Sequence, residues 1–399
     1  MNQNITNLCS IAAKETRYII GLMSGTSLDG LDIALCCIKR SGLETEIELV
    51  QFETIAYNSH FKDEIRGIFS KHTVDLEKIC LLNGWVAKQH ANMILNCLEN
   101  WQIKASQIDL ISSHGQTIYH SPKFLHPHDE FGNGTLQIGD GDHLAVATGI
   151  ITISDFRQKH IASGGEGAPL AVYGDYFIFS KKDENRIMLN IGGIANFTYL
   201  PGNLDSNEIF STDTGPGNTI MDAYAQKHFQ LDYDKDSALA QLGNVNEGFL
   251  HQLENHLFFD SGFPKTTGPE LFNLEYIENA LFQSGNESLP HFDVMASLNQ
   301  FSANTIVKAI KRTVNSIESV SIYVSGGGMH NPQLMQQLKS LLPAYSFYST
   351  ESLNINPDAK EAVLFAILAN ETVAGGFTQF GKEGKGIPSV SMGKISFPN

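Results

Sequence analysis

One plan occurs twice in this chain, and it limits the fold to layered strands and helices. Arg17 to Leu22 and Ile33 to Ile38 read as apolar strands joined by the small, polar stretch "SGTSLDGLD". Arg186 to Leu200, "RIMLNIGGIANFTYL", repeats the order of strand, glycine turn and strand. Each pair is followed later by a buried strand ending in glycine and polar residues, "IDLISSHGQT" from Ile108 and "SIYVSGGGMH" from Ser321. Strands alternating with helical stretches such as Asp75 to Glu99 point to α/β layers. Identity between the copies is slight, so chance recurrence within an α/β chain competes with duplication. Duplication predicts two facing domains with glycine turns projecting into the cleft between them, a favoured place for a ligand.

At 399 residues the chain exceeds the size at which one core stops growing. We expect a first domain over 1–137, a second over 138–365, and a C-terminal segment from about 366 to 399 packing back on the first. The helical pattern with apolar Ala362, Phe365, Ala366 and Ala369 reads as a packed helix. The net charge of −16, with no basic run, argues against a nucleic-acid partner. No apolar stretch is long enough to span a bilayer, and residues 1–16 lack the layout of a signal peptide. Five cysteines without a CxxC pair fit a reduced, cytoplasmic protein.

In the first turn, Gly21, Gly25 and Gly30 allow a ligand close to the main chain, and Ser24, Thr26 and Ser27 offer hydroxyls. Such a turn can hold a phosphate. It is neither a Walker loop nor a dinucleotide fingerprint, and a plain tight hairpin is the competing reading. Gly192 and Gly193 occupy the matching place in the second copy. Gly326, Gly327 and Gly328 either pass the face of an adenine or allow close strand–helix packing. After them, Asn331 reads as a helix N-cap with Pro332 at the first helical position. Asp213 precedes the Gly-Pro-Gly of "DTGPGN", ahead of a helix capped by Asn218; by residue type alone it reads as a turn former.

Taken together these stretches resemble the superfamily of sugar kinases, actin and Hsp70-type ATPases. More closely, "GLMSGTSLDGLD", "SSHGQT", "DFRQKHIASGGEGAPL", "LNIGGIANFT", "DTGPGN" and "DAKEAVLFAILA" are similar to the anhydro-N-acetylmuramic acid kinases, in the same order from Tyr18 onward. The resemblance implies two duplicated actin-like, ribonuclease H-like ATPase domains with an interdomain active-site cleft. It implies an enzyme of peptidoglycan recycling that uses ATP and water to open an anhydro sugar and phosphorylate O6. Gly25, Thr26, Ser27, Leu28, Asp29, Gly30, Leu31 and Asp32 would then bind the ATP phosphates, with Gly192, Gly193, Gly326, Gly327 and Gly328 completing the nucleotide site. Magnesium is expected, with Asp29 as its carboxylate.

By the same resemblance Asp213 is the catalytic base, and His114, Gln116, Arg157 and Asn218 are substrate contacts. For His114 a packed role competes. Arg157 either pairs with Asp155 or meets the lactyl carboxylate of the sugar. His160 stands where the family pattern leads us to expect an acidic residue, and Glu166 where we expect Gln; either change shifts the sugar preference if that side chain touches the sugar. A homodimer is implied. An acetate-kinase-like or Hsp70-like ATPase would share the glycine turns without "DTGPGN" and "SSHGQT" together, and a non-catalytic sugar-binding relative would have lost the base or the phosphate turn.

Overall fold

The computed structural model describes residues 2–25, 27–168, 170–314, 319–353, 356–376, 378–380 and 388–399. Contacts divide the chain into Met1–Phe179 with Asp358–Asn399, and Ser180–Pro357. The divisions fall later than 137/138 and earlier than 365/366. Thr152–Ser154 lies parallel beside Leu110–Ser121 in the first sheet, which moves the first division, and the whole helix Lys360–Ala374 packs on that sheet, which moves the second.

In the first unit β1 (Thr16–Ser24), β2 (Gly30–Lys39) and β3 (Glu46–Ala56) are antiparallel neighbours. On the other side of β1, β4 (Leu110–Ser121) and β6 (Thr152–Ser154) run parallel to it, while β5 (Gly134–Ile138) folds back on β4. β1 is buried on both faces, as a central strand with parallel pairing requires. One face carries the Leu76–Asn100 helix, started by Asp75, whose side chain accepts from the Glu77 amide. The Lys360–Ala374 helix crosses β1 so closely that a Cβ on Gly21 would lie 1.9 Å from the Ala362 carbonyl oxygen. Ala362, Phe365, Ala366 and Ala369 are all buried there, so the expected packed helix is present.

In the second unit β7 (Asn185–Ile191), β8 (Ile194–Leu200) and β9 (Phe210–Pro216) are antiparallel, and β10 (Val320–Ser325) and β11 (Ser346–Ser349) continue the sheet in parallel from β7. The order β9-β8-β7-β10-β11 matches β3-β2-β1-β4-β6 strand for strand and direction for direction. This shared order is the ribonuclease H-like plan, and it supports duplication over chance recurrence. The core of this unit packs around the His291–Val314 helix, whose apolar positions are buried along most of its length. All five cysteines are free.

Candidate active site

The first turn joins β1 to β2 over residues 25–29, and Ser24 pairs with Leu31 across the hairpin. Leu28 adopts φ 59°, and its side chain, like that of Leu31, is buried in the core of the first unit. A non-glycine residue in that conformation costs energy, which burial of the leucyl group offsets. Leu28, Gly30 and Leu31 therefore offer a ligand only backbone. Ser27 and Asp29 are exposed, whereas Asp32 sits within β2 and accepts from Thr54 Oγ1 at 2.6 Å. Thr26 lies outside the described residues.

The glycines differ in what they need. A Cβ on Gly30 would meet the Ile55 carbonyl oxygen at 2.5 Å, so close strand packing alone demands glycine there. On Gly25 it would find nothing nearer than Ser27 Oγ at 3.6 Å, and Gly25 has no positive φ. In the second unit, a Cβ on Gly326 (φ 83°) would lie 2.6 Å from Asn190 Oδ1 and one on Gly328 2.2 Å from Ile191 Cγ2, which is the packing alternative. Gly327 is open, since a Cβ there would meet nothing nearer than Asn218 Nδ2 at 3.7 Å, and Gly192 is similarly unconstrained. Each turn thus holds one glycine that internal packing does not explain.

Gly192 and Gly193 lie against the start of the Thr219–Phe229 helix. Their carbonyls accept the amides of Asn218, Gly217 and Thr219 at 2.9, 2.8 and 3.0 Å. The Asn218 side chain makes no capping bond, contrary to the sequence reading, and the residue has helical backbone angles (φ −94°, ψ −22°) rather than the extended ones of a capping residue. Asn218, expected at the sugar, stands beside Gly192 and Gly327. Asn331 caps the Pro332–Leu341 helix as expected, accepting from the Leu334 amide at 2.8 Å.

Asp213 is not in a turn. It lies within β9 opposite Asn196, next to a bulge, and the Gly-Pro pair after it continues the strand. Its Oδ2 accepts the Thr267 amide at 2.8 Å, and its own amide donates to the Lys265 carbonyl. Burial, with Glu270 nearby, pushes its carboxyl up to about 6, partly countered by the Thr267 amide. A half-buried carboxylate of that basicity, held by one amide, has lone pairs left to take a proton near neutral pH.

His114 and Gln116 lie inside β4 rather than at its end, because β4 continues into the hairpin with β5. Arg157 Nε donates to His114 Nε2 at 2.9 Å, and Arg157 Nη1 to the Gly167 carbonyl at 2.7 Å. Since arginine only donates, Nε2 of His114 is unprotonated and Nδ1–H gives its proton to the Gly115 carbonyl. Burial and the adjacent guanidinium lower His114 to about 3, so it stays neutral. His114 is buried and acts on Arg157. Burial lowers Arg157 to about 10, which leaves it charged at neutral pH. Asp155 is not its partner; that carboxylate pairs with Lys394.

Gln116 is fully buried and spends its amide inside the protein, accepting from Ser24 Oγ at 2.5 Å and donating to the Gly25 carbonyl at 3.3 Å. His160 is also buried, its Nδ1 accepting the Gly167 amide at 2.9 Å, so it shapes the loop that holds Arg157. Glu166 is exposed. Sequence reasoning missed Thr267 and Lys265, which meet Asp213 through backbone atoms that leave no residue-type signal. It also missed Tyr57 and His90, hydrogen-bonded to each other behind the first turn. Among the described residues no group of three acidic, cysteine or histidine side chains converges as a metal site.

The family described as anhydro-N-acetylmuramic acid kinase matches residues 17–388. The chain belongs to that family. A protein of that name from Pseudoalteromonas atlantica (strain T6c / ATCC BAA-1087) is 57% identical over 401 residues, covering 100% of both chains. Another from Caldanaerobacter subterraneus subsp. tengcongensis is 39% identical over 392 residues, covering 98% of this chain and 99% of the relative. Among solved structures, the activator of the 2-hydroxyisocaproyl-CoA dehydratase from Clostridium difficile with bound ADPNP aligns at 12% identity with a TM-score of 0.40, covering 89% of this chain and 95% of that one.

Proposed function

We propose that this kinase uses ATP and one water to open the 1,6-anhydro ring of anhydro-N-acetylmuramic acid, giving N-acetylmuramic acid 6-phosphate and ADP in peptidoglycan recycling. The water oxygen bonds to C1, the C1–O6 bond breaks, and O6 takes the γ-phosphoryl group. Asp213 accepts the proton that the water loses, and the observation that supports it is its carboxyl near 6, held by the Thr267 amide with acceptor capacity to spare. The step resembles inverting glycoside hydrolysis with phosphoryl transfer in place of an acid, so one carboxylate suffices.

The open positions Gly25, Gly192 and Gly327 receive ATP at the backbone, with Ser27 adding a hydroxyl and Asn218 an amide. Magnesium takes one or two protein carboxylates when phosphate and water supply the rest, which the exposed Asp29 fits. When bound, the ion offsets charge on the phosphates. Arg157, oriented by His114, reads the lactyl carboxylate of the sugar. A homodimer and a cytoplasmic location belong to the same reading; no described helix is long and apolar enough to cross a membrane.

Incubation with ATP, magnesium and the anhydro sugar in ¹⁸O-water tests the reading. The product is expected to carry phosphate on O6 and one heavy oxygen at C1 by mass spectrometry. Absence of turnover with this sugar, alongside turnover of another, overturns the substrate assignment.

A further inference from the structure

Behind the first turn four buried side chains form a continuous hydrogen-bond chain. His90 Nε2 lies 2.9 Å from Tyr57 Oη, which lies 2.7 Å from Ser24 Oγ, which lies 2.5 Å from Gln116 Oε1. The direction of every bond follows from its far end. The Gln116 amide nitrogen donates to the Gly25 and Thr117 carbonyls at 3.3 Å each, so Oε1 is the end that faces Ser24. Ser24 has one proton and gives it to Gln116. Tyr57 must therefore donate to Ser24, and His90 must donate from Nε2 to Tyr57. Burial lowers His90 to about 4, which keeps it a neutral imidazole in this tautomer.

Tyr57 grips the turn a second time, because its backbone amide donates to the Asp29 carbonyl at 3.1 Å. It is itself fixed by stacking on Phe61 at 3.9 Å between ring centroids. Residues 24 and 29, at the two ends of the turn, are thus held by one rigid side chain and its backbone. The last link draws the Gly25 carbonyl toward Gln116. A carbonyl oxygen turned the other way would meet a phosphate with its negative end.

We propose that His90, Tyr57, Ser24 and Gln116 are positioning residues that hold the Gly25 turn ready for the phosphates of ATP without touching them. The proposal rests on the reading of that turn as the phosphate site. It also assigns Ser24 and Gln116 away from direct ligand contact, since both are buried and already partnered.

The test uses the full-length enzyme, with ADP affinity by calorimetry, KM for ATP and for the anhydro sugar, kcat, and thermal melting. Tyr57→Phe is expected to weaken ADP and raise KM for ATP by about fivefold to tenfold, the scale of one buried hydrogen bond. The sugar KM and kcat should stay within about twofold. Should Tyr57→Phe fail to fold, Ser24→Ala interrupts the same chain with a smaller change. His90→Leu is expected to reproduce the loss, and His90→Gln, which keeps an N–H donor, to restore it. A lowered melting temperature with unchanged ADP affinity means a merely structural role and overturns the proposal. Gly25→Val serves as control: if it loses ADP while Tyr57→Phe does not, the relay alone fails, and if it keeps ADP, the phosphate site and the relay fail together.

Discussion

The amide of Thr267 donates to Asp213 Oδ2 over 2.8 Å, joining residues 54 positions apart. The segment that brings Thr267 there is fastened by Lys265, whose amide donates to Thr212 Oγ1 at 3.1 Å and whose ammonium donates to the Phe258 carbonyl at 2.8 Å. The segment that supplies the Thr267 amide is consequently fixed beside β9. One amide orients the carboxylate without neutralising its basicity.

Asp213→Asn keeps the size of the side chain and can still accept from Thr267, but it cannot take a proton. Turnover of the anhydro sugar should fall by about 10²–10⁴-fold, the usual worth of a general base, with ATP affinity unchanged. Near-normal turnover in the folded variant places the base elsewhere.

The same carboxyl sets a pH dependence. With its pKa raised to about 6, Asp213 is protonated below that value, so turnover should climb through pH 6 and level off above it. Stability runs the other way. Because the folded pKa lies above the ordinary carboxylate value of 3.8, the folded state binds the proton more tightly. The resulting stability is present below the unfolded pKa and lost as pH rises through 6. Asp213→Asn should therefore melt higher than the wild type at pH 8 and nearly the same at pH 3.5; equal differences at both values contradict the burial argument.

The glycines of the first hairpin separate by role. Gly21→Ala forces a methyl against the Ala362 carbonyl oxygen and should cost at least the ~1–3 kcal/mol typical of overpacking, read in a chemical denaturation curve. A Cβ on Gly25 meets no such obstacle, so Gly25→Val should melt normally while ATP titration shows a loss of about tenfold or more, given ~1.4 kcal/mol per tenfold. Unchanged stability in the first or unchanged affinity in the second contradicts the division.

His114→Leu removes the acceptor that Arg157 Nε uses. KM for the anhydro sugar should rise by about fivefold to twentyfold with KM for ATP unaltered, because a guanidinium freed of a partner loses direction, not charge. Arg157→Lys should be at least as damaging, since an ammonium has no planar fork. An equal effect on both substrates would place the pair away from the sugar.

The strands, the helix starts at Asp75 and Asn331, and the packed helix at 360–374 were legible in the sequence because each follows from local pattern: apolar runs, capping residues, periodicity. The duplication was legible as a repeated order of elements, and the sheets confirm it strand for strand. Asp213 was legible only through its motif, since its residue type and the following Gly-Pro favoured a turn, whereas pairing with β8 keeps it extended.

The sequence by itself thus determined the central strands of each copy, the main helices and the family the chain resembles, because these depend on neighbours a few residues apart. Tertiary structure alone decided what the polar side chains do. Gln116 and His114 look like ligands in sequence, yet partners 92 and 43 residues away consume their hydrogen bonds. Gly25 in the turn and Gly30 at the start of β2 are the same residue type five positions apart, and only the approach of β3 makes one necessary for packing while leaving the other open. A buried polar group must find its partner wherever the chain brings one, and sequence distance does not enter that requirement.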